Sequence, residues 1–344
     1  MAPILQLDNL VIEFPGASGS FRAADRVSFA VEEGQTLGLV GESGCGKSVT
    51  ALSLLRLVPE PGRIASGRIL FRGSDLMALT ERRMCSVRGR EIGFVFQEPA
   101  AALNPVLTVG TQIAEGLVVH RLMKKKEALA EAARLLELVR IPDALRRVHE
   151  YPHQLSGGML QRVMIACALA CKPSLLIADE PTTALDVTIQ AEILALLKRL
   201  RDELGLSLLL ISHNLGVIAG MADRVAVMYA GRIVEEATAR RLFRDPAHPY
   251  TRGLLRSMPR PGSSAVQGSR ARRLPAIEGA VPDLARLPPG CAFHPRCPDA
   301  MPECREVVPS LLPLGAEGAH QVACFLHHDT AGRPRSRPAT EQAS

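Results

Sequence analysis

Gly41-Glu42-Ser43-Gly44-Cys45-Gly46-Lys47-Ser48 stands between an apolar strand-like run, Thr36 to Val40, and a helical stretch, Val49 to Leu57. Glycines at this density let backbone N–H groups turn inward around phosphate oxygens, and a helix opening directly behind them points its positive end at the same charge. The octet fits G-x-x-x-x-G-K-[ST] in the strand, loop, helix order that a phosphate cradle needs. Lys47 is then placed to hold the β- and γ-phosphates and the Ser48 hydroxyl to ligate Mg²⁺. Nucleotide contacts are expected over Gly41, Ser43, Gly44, Cys45, Gly46, Lys47, Ser48 and Val49. The competing reading is a glycine-rich turn with a surface lysine, which leaves the flanking strand and helix without a purpose. Cys45, a thiol next to a helix N-terminus, is expected to be unusually acidic and oxidisable.

Working outward, Leu175-Leu-Ile-Ala-Asp179-Glu180 is an apolar strand that delivers two carboxylates at its end. Asp179 there can hold Mg²⁺, and Glu180 can orient and deprotonate an attacking water. Alone this would be an ordinary turn; beside the Gly41 loop it reads as a nucleoside-triphosphatase site. Leu155-Ser156-Gly157-Gly158-Met159-Leu160-Gln161 leads into the apolar helix Val163 to Ala170. A serine and two glycines at a helix start expose unpaired N–H groups, so this is either a plain N-cap or a second anion site. Two phosphate cradles on one chain need a reason.

The 344 residues accommodate a large core or two to three modules. Apolar residues make up 47% but occur in short runs, none near the roughly 20 needed to span a bilayer. The N-terminus shows no basic n-region followed by an apolar stretch and a cleavage site, so a cytosolic location is expected. Strand-like runs at Glu91 to Phe96, Ser174 to Ala178, Ser207 to Ile211 and Arg224 to Met228 alternate with helices such as Ile189 to Leu204. That alternation argues for a parallel sheet covered on both faces. After Asn104-Pro105 the texture turns helical, notably Lys124 to Arg140, and reads as a helical insertion. The net charge of +6 is modest, with Arg256, Arg260, Arg270, Arg272 and Arg273, then Arg333, Arg335 and Arg337, concentrated late in the chain. A solvated basic linker at 261–273 and a separate, loop-rich final piece are expected.

The ordered set Gly41 to Ser48, Gln97, Leu155 to Gln161, Asp179-Glu180, Ala184-Leu185-Asp186 and His213 resembles the nucleotide-binding subunit of ABC transporters over roughly residues 1–245. The resemblance implies an α/β fold: a P-loop NTPase (RecA-like) core, an N-terminal antiparallel β-subdomain, a helical insertion at about 100–165, and a C-terminal loop-rich cysteine extension over 246–344. It implies ATP as substrate, Mg²⁺ as cofactor, and a head-to-tail pair of subunits in which Ser156, Gly157 and Gly158 cap the nucleotide on the companion's glycine loop. That accounts for two cradles. The same resemblance assigns Glu180, His213 and Gln97 to catalysis, with Gln97 also beside the Mg²⁺ held by Ser48 and Asp179, and Asp186 to the dimer seam. Phe14 or Phe21 is expected to stack on adenine, with Phe14 favoured.

Phe96-Gln-Glu-Pro-Ala-Ala-Ala-Leu-Asn-Pro105 and His248-Pro-Tyr-Thr251 are similar to the subgroup powering import of di- and oligopeptides, and in some members nickel or glutathione. The implied partners are a related second ATPase subunit, transmembrane permease subunits and, indirectly, a substrate-binding protein. Nucleic acid is not among them, and the location is the cytoplasmic face of the inner membrane. A soluble ABC-type ATPase acting on nucleic acid or ribosomes is the alternative; it usually carries coiled coils, zinc modules or two cassettes, whereas this chain has one cassette and no heptad run. A purely regulatory nucleotide-binding protein would be expected to lack the carboxylate that Glu180 provides.

Cys291, Cys297, Cys304 and Cys324 follow C-x5-C-x6-C-x19-C among prolines. Four thiolates can hold an iron–sulfur cluster or a zinc ion, and a small lobe poor in apolar residues needs such a staple. The C-x2-C pairs of common zinc sites are missing, and the resemblance to subgroup members carrying a 4Fe-4S cluster favours the cluster; unligated thiols remain open. His294 and His320 are possible substitutes but are expected at the surface. Cys85, Cys167 and Cys171 are expected in or near helices.

Overall fold

A computed structural model describes residues 3–16, 19–183, 185–258, 277–315 and 320–335. The expected linker at 261–273, Arg260, Ala184 and Arg337 lie outside these described residues. The chain opens with the antiparallel strands β1 (Leu5–Gly16) and β2 (Gly19–Val31), whose register pairs Phe14 with Phe21. Next come β3 (Thr36–Val40) and the helix α1 (Lys47–Ser53), joined by the glycine loop. Strands β4 (Arg63–Phe71) and β5 (Ser74–Asp75) return to the first pair and complete a four-stranded sheet, ordered β2-β1-β4-β5. Helix α1 starts two residues before the expected Val49 and stops short of Leu57. Its chain turns at Arg56, which has a left-handed φ of 54°, and Leu57 N–H reaches back to Leu52 O at 2.9 Å, closing the helix end.

After α2 (Glu81–Val87) and β6 (Ile92–Val95), a helical block follows: α3 (Pro99–Ala102), α4 (Val109–Val119), α5 (Lys125–Leu138), α6 (Ala144–Arg147) and α7 (Gly157–Leu169). Helix α4 packs on both α5 and α7. Strand β7 (Leu175–Asp179), helix α8 (Val187–Leu204), strand β8 (Ser207–Ser212), helix α9 (Leu215–Met221) and strands β9 (Arg224–Tyr229) and β10 (Arg232–Thr238) complete the core. Helix α8 buries Ile193, Leu196, Leu197 and Leu200, the i, i+3, i+4, i+7 stripe of a one-faced helix, and Gly205 at φ 65° ends it.

The second sheet runs β11 (Leu312–Pro313), β12 (Gln321–Val322), β10, β9, β3, β8, β7, β6, with β9, β3, β8, β7 and β6 mutually parallel. Its side chains alternate between two cores. Leu176, Ala178, Leu208, Leu210, Val225 and Val227 face the helices, while Leu175, Ile177, Leu209, Ile211, Ala226 and Met228 face α1 and the first sheet. Burial on both faces is why these strands read as unbroken apolar runs. The glycine loop leaves the central strand of this sheet at its C-terminal end, where the crevice of a parallel sheet lies.

Helices α10 (Ala239–Arg244) and α11 (Pro249–Arg256) precede the tail, whose short strands β11 (Leu312–Pro313) and β12 (Gln321–Val322) pair onto β10. The tail is therefore loop-rich as expected, but it extends the main sheet instead of standing apart. A buried carboxylate joins the two. Glu235 accepts hydrogen bonds from Ala247 N–H at 2.7 Å and His248 N–H at 2.9 Å, and His320 Nε2 lies 2.8 Å from it. His320, expected at the surface, is thus buried in this joint. Arg333 and Arg335 of the basic tail pair with Asp329 and Glu303.

Burial holds the His248 imidazole neutral, with its pKa pushed down from 6.5 to about 4 despite the nearby Glu235 carboxylate. Burial would raise Glu235, but the hydrogen bonds from His320, Ala247 and His248 outweigh it and hold the carboxyl below its ordinary 4.5. Both groups bind protons more readily in the unfolded chain, so the His248 contribution, present above pH 6.5, is lost as pH falls toward 4, and that of Glu235, present above 4.5, is lost below it. Denaturant titrations are expected to show a loss of about 2 kcal/mol between pH 7 and pH 5 from His248 alone. His248→Asn should flatten that slope; an unchanged slope would refute the assignment.

Candidate active site

Two backbone carbonyls dictate the glycines of the loop. A Cβ on Gly46, whose φ is 101°, would lie 2.1 Å from Ala23 O on β2, and one on Gly41 would lie 2.2 Å from Met228 O on β9. Neither carbonyl can move without breaking a strand, so only glycine fits. Inside the cradle Lys47 is 4% exposed, and its ammonium donates to Gly41 O at 2.8 Å and Glu42 O at 3.0 Å. The Ser48 hydroxyl donates to Asp179 Oδ1 at 3.2 Å, bringing together residues 131 positions apart. Burial raises the Asp179 carboxyl, the Ser48 hydrogen bond opposes it, and the neighbouring Glu180 adds to the rise. A buried carboxylate beside a hydroxyl is the donor set a divalent cation stabilises, so Ser48 and Asp179 fit Mg²⁺.

Glu180 carries φ 46°, a left-handed conformation that costs a non-glycine residue and marks sites where structure over-determines the backbone. Its amide is tied to Ile211 O at 3.0 Å. One carboxylate oxygen, Oε2, receives three side chains: Thr183 Oγ1 at 2.8 Å, His213 Nδ1 at 3.0 Å and Gln97 Nε2 at 3.4 Å. Gln97, Glu180 and His213 come from the ends of three neighbouring parallel strands, β6, β7 and β8, so the sheet order itself assembles them.

A cavity of about 370 Å³ is walled by Phe14, Phe21, Ser43, Gly44, Gly46, Lys47, Ser48, Val49, Gln97 and Glu180, with Ala23 and Leu284. Phe14 and Phe21 both reach it and stack on each other at 5.8 Å between centroids, so the cavity does not choose between them. Gly41 and Cys45 stand behind the wall. Cys45 departs from expectation: it is fully buried, and burial raises its thiol against the lowering effect of Lys47, so it is neither acidic nor accessible. Alkylation of the native protein is accordingly expected to label the exposed Cys85 and spare Cys45, read by peptide mass spectrometry; prompt labelling of Cys45 would reverse this conclusion.

Ser156, Gly157, Gly158 and Asp186 do not line the cavity. Ser156 caps α7, its hydroxyl accepting from Met159 N–H at 3.4 Å, and Asp186 caps α8, accepting from Ile189 N–H at 3.0 Å. The two helix starts are neighbours: a Cβ on Gly158 would meet Ile189 Cγ2 at 2.8 Å. Both caps are exposed. Sequence reasoning missed Thr183, whose signal was a hydroxyl three residues after a carboxylate in a turn, and it missed Leu284, which carries no local signal.

In the tail, backbone N–H groups face all four cysteines. Those of Phe293 and His294 approach Cys291, that of Asp299 Cys297 and that of Leu326 Cys324, while Met301 N–H lies 3.5 Å from Cys304 Sγ. Burial, aided by the other thiols, pushes Cys297 up to about 11 and Cys324 up to about 12. His294 places its Nδ1 2.9 Å from Cys291 O, and His320 places its Nε2 2.8 Å from Glu235 Oε1. Among the described residues no group of three or more His, Cys, Asp or Glu is gathered tightly enough to hold a metal ion. That departs from the expected metal set. Zinc would draw all four sulfurs to about 2.3 Å from one point.

Strand, glycine loop, helix and strand-end carboxylates around one cavity define a P-loop nucleotide-binding ATPase. The family model for ABC transporters matches residues 24–183, and that for the C-terminal region of oligopeptide/dipeptide transporters matches 234–304. A peptide import ATP-binding protein of Brucella melitensis is 53% identical over 315 residues, covering 90% of this chain and 93% of the relative. The oligopeptide transport ATP-binding protein AppD of Bacillus subtilis is 50% identical over 330 residues, covering 96% and 98%. A dimeric, post-hydrolysis ATP-binding cassette solved with ADP and Pi superposes at TM-score 0.60 and 28% identity over 69% of this chain and 99% of its own. The chain belongs to the ATP-binding subunits of ABC transporters, in the group bearing the oligopeptide/dipeptide C-terminal region.

Proposed function

We propose that this chain hydrolyses ATP to energise an ABC importer of di- or oligopeptides. The observation that carries it is the convergence of Thr183, His213 and Gln97 on Glu180 beside the Lys47 cradle. Peptide cargo rests on the names of the relatives and on the matched C-terminal region. The Lys47 ammonium exchanges its carbonyl partners for phosphate oxygens. Glu180 takes a proton from the water that attacks the terminal phosphorus as the bond to ADP breaks. His213 holds that carboxylate in place, and Gln97 reports on it from β6, which leads into the helical block. Ser48 and Asp179 would hold Mg²⁺, with Gln97 beside it, and the ion would supply charge neutralisation for the phosphates.

Ser156, Gly157 and Asp186, exposed and away from the cavity wall, fit with the half-buried Gly158 a companion ATPase subunit docking head to tail, and a related but different one is proposed. Among the described residues no helix is long and apolar enough to cross a membrane. Val106, 75% exposed, and Val119, 67% exposed, on the helical block suit permease subunits at the cytoplasmic face of the membrane, with a substrate-binding protein beyond them. Glu180→Gln is expected to retain ATP binding while turnover falls about 100-fold or more, and to trap the paired subunits. Undiminished turnover would remove Glu180 from the chemistry.

For the tail we infer a 4Fe-4S cluster held by Cys291, Cys297, Cys304 and Cys324. Amide donors to each sulfur are what tune and retain such clusters. Anaerobic purification is expected to yield brown protein with about four iron and four sulfide per chain. Colourless protein, or stoichiometric zinc, would overturn this.

A further inference from the structure

The tail reaches the nucleotide cavity through Leu284 and the glycine loop beside it through Arg296, neither of which the ATPase motifs include. Leu284, in a short turn capped by Asp283, packs on β2 and forms part of the same wall as Phe14 and Phe21. Arg296 is buried, its side chain 5% exposed, and forms a two-pronged pair with Glu42, the second residue of the glycine loop, at 2.8 and 3.0 Å. Its remaining donors are occupied by Glu278 O at 3.0 Å, Ile277 O at 3.4 Å and Tyr229 Oη at 3.3 Å, so its plane is fixed. Glu42 is held twice more: its N–H donates to Tyr250 Oη at 2.9 Å, and its carbonyl accepts from Lys47 at 3.0 Å. A continuous chain therefore runs from the Arg296 guanidinium through Glu42 to the ammonium that binds phosphate.

We propose that residues 277–297 complete the nucleoside triphosphate site, with Leu284 closing the aromatic end of the cavity over the base and Arg296 positioning the phosphate loop through Glu42. This rests on the ATP-binding reading above. The physical reason for Arg296 is charge. Glu42 places a carboxylate within a loop built to receive phosphate, and without a bidentate cation that carboxylate would repel the nucleotide and compete for Lys47. Arg296 neutralises it from outside the cradle. Leu284 acts differently, because its apolar side chain carries no group that could bind phosphate.

The full-length chain is titrated calorimetrically with ATP and with inorganic tripolyphosphate, folding of each variant being checked by its thermal midpoint. Leu284→Asp should weaken ATP about tenfold and leave tripolyphosphate unchanged. Arg296→Ala should weaken both ligands about tenfold, and adding Glu42→Gln should restore most of that loss, since the unpaired carboxylate causes it. An Arg296 that merely anchored the tail would show no such rescue. Wild-type affinities in the Leu284 and Arg296 variants, or an Arg296 loss that the second substitution fails to repair, would overturn the proposal. Failure of the wild-type chain to bind ATP would instead sink the functional reading beneath it.

Discussion

Ala23 O on the second strand and Met228 O on the ninth stand where side chains of an ordinary loop would go. Between them the backbone must pass with no Cβ at Gly41 or Gly46, and this clearance turns the loop's N–H groups and Lys47 into one cavity. The loop inherits its rigidity from both sheets at once: Ala23 belongs to the antiparallel one and Met228 to the parallel one. Anything that shifted these sheets relative to each other would open or crush the cradle. The alternating side chains of the central strands, filling one core on each face, oppose such a shift.

The acidic half of the site depends on the same sheet. Gln97, Glu180 and His213 are separated by 83 and 33 positions but follow three adjacent parallel strands, so their side chains meet at one carboxylate oxygen. Glu180 holds a left-handed backbone to be there. Such a conformation persists because its amide is anchored to Ile211 and its side chain to Thr183, and it aims the carboxylate into the cavity shared with Lys47.

The tail changes how the cassette is understood. Glu235, wholly buried, is stitched to the Ala247 and His248 amides and to His320, fastening strand β12 to the sheet edge. From that platform the segment around Arg296 returns to the glycine loop. Cys297 follows Arg296 directly, so the cysteine lobe and the phosphate cradle are separated by a single guanidinium and its carboxylate partner.

Features that arise from local chemistry were legible along the chain. The phosphate loop between strand and helix, the carboxylate pair at a strand end, the N-cap at Ser156 and the apolar parallel strands all follow from short-range pattern, because glycine geometry, capping and strand burial act within a few residues. Tertiary structure decided what depends on distant backbone or on solvent. Cys45 looked acidic from its place beside a helix, but burial between the sheets reversed that. His320 looked exposed, but it pairs with a carboxylate 85 positions away. Leu284 and Arg296 carried no motif at all, and their roles arise only because the tail folds back on the cassette: spacing along a chain encodes which groups can act together locally, whereas desolvation and long-range charge pairing exist only once the sheets have closed around them.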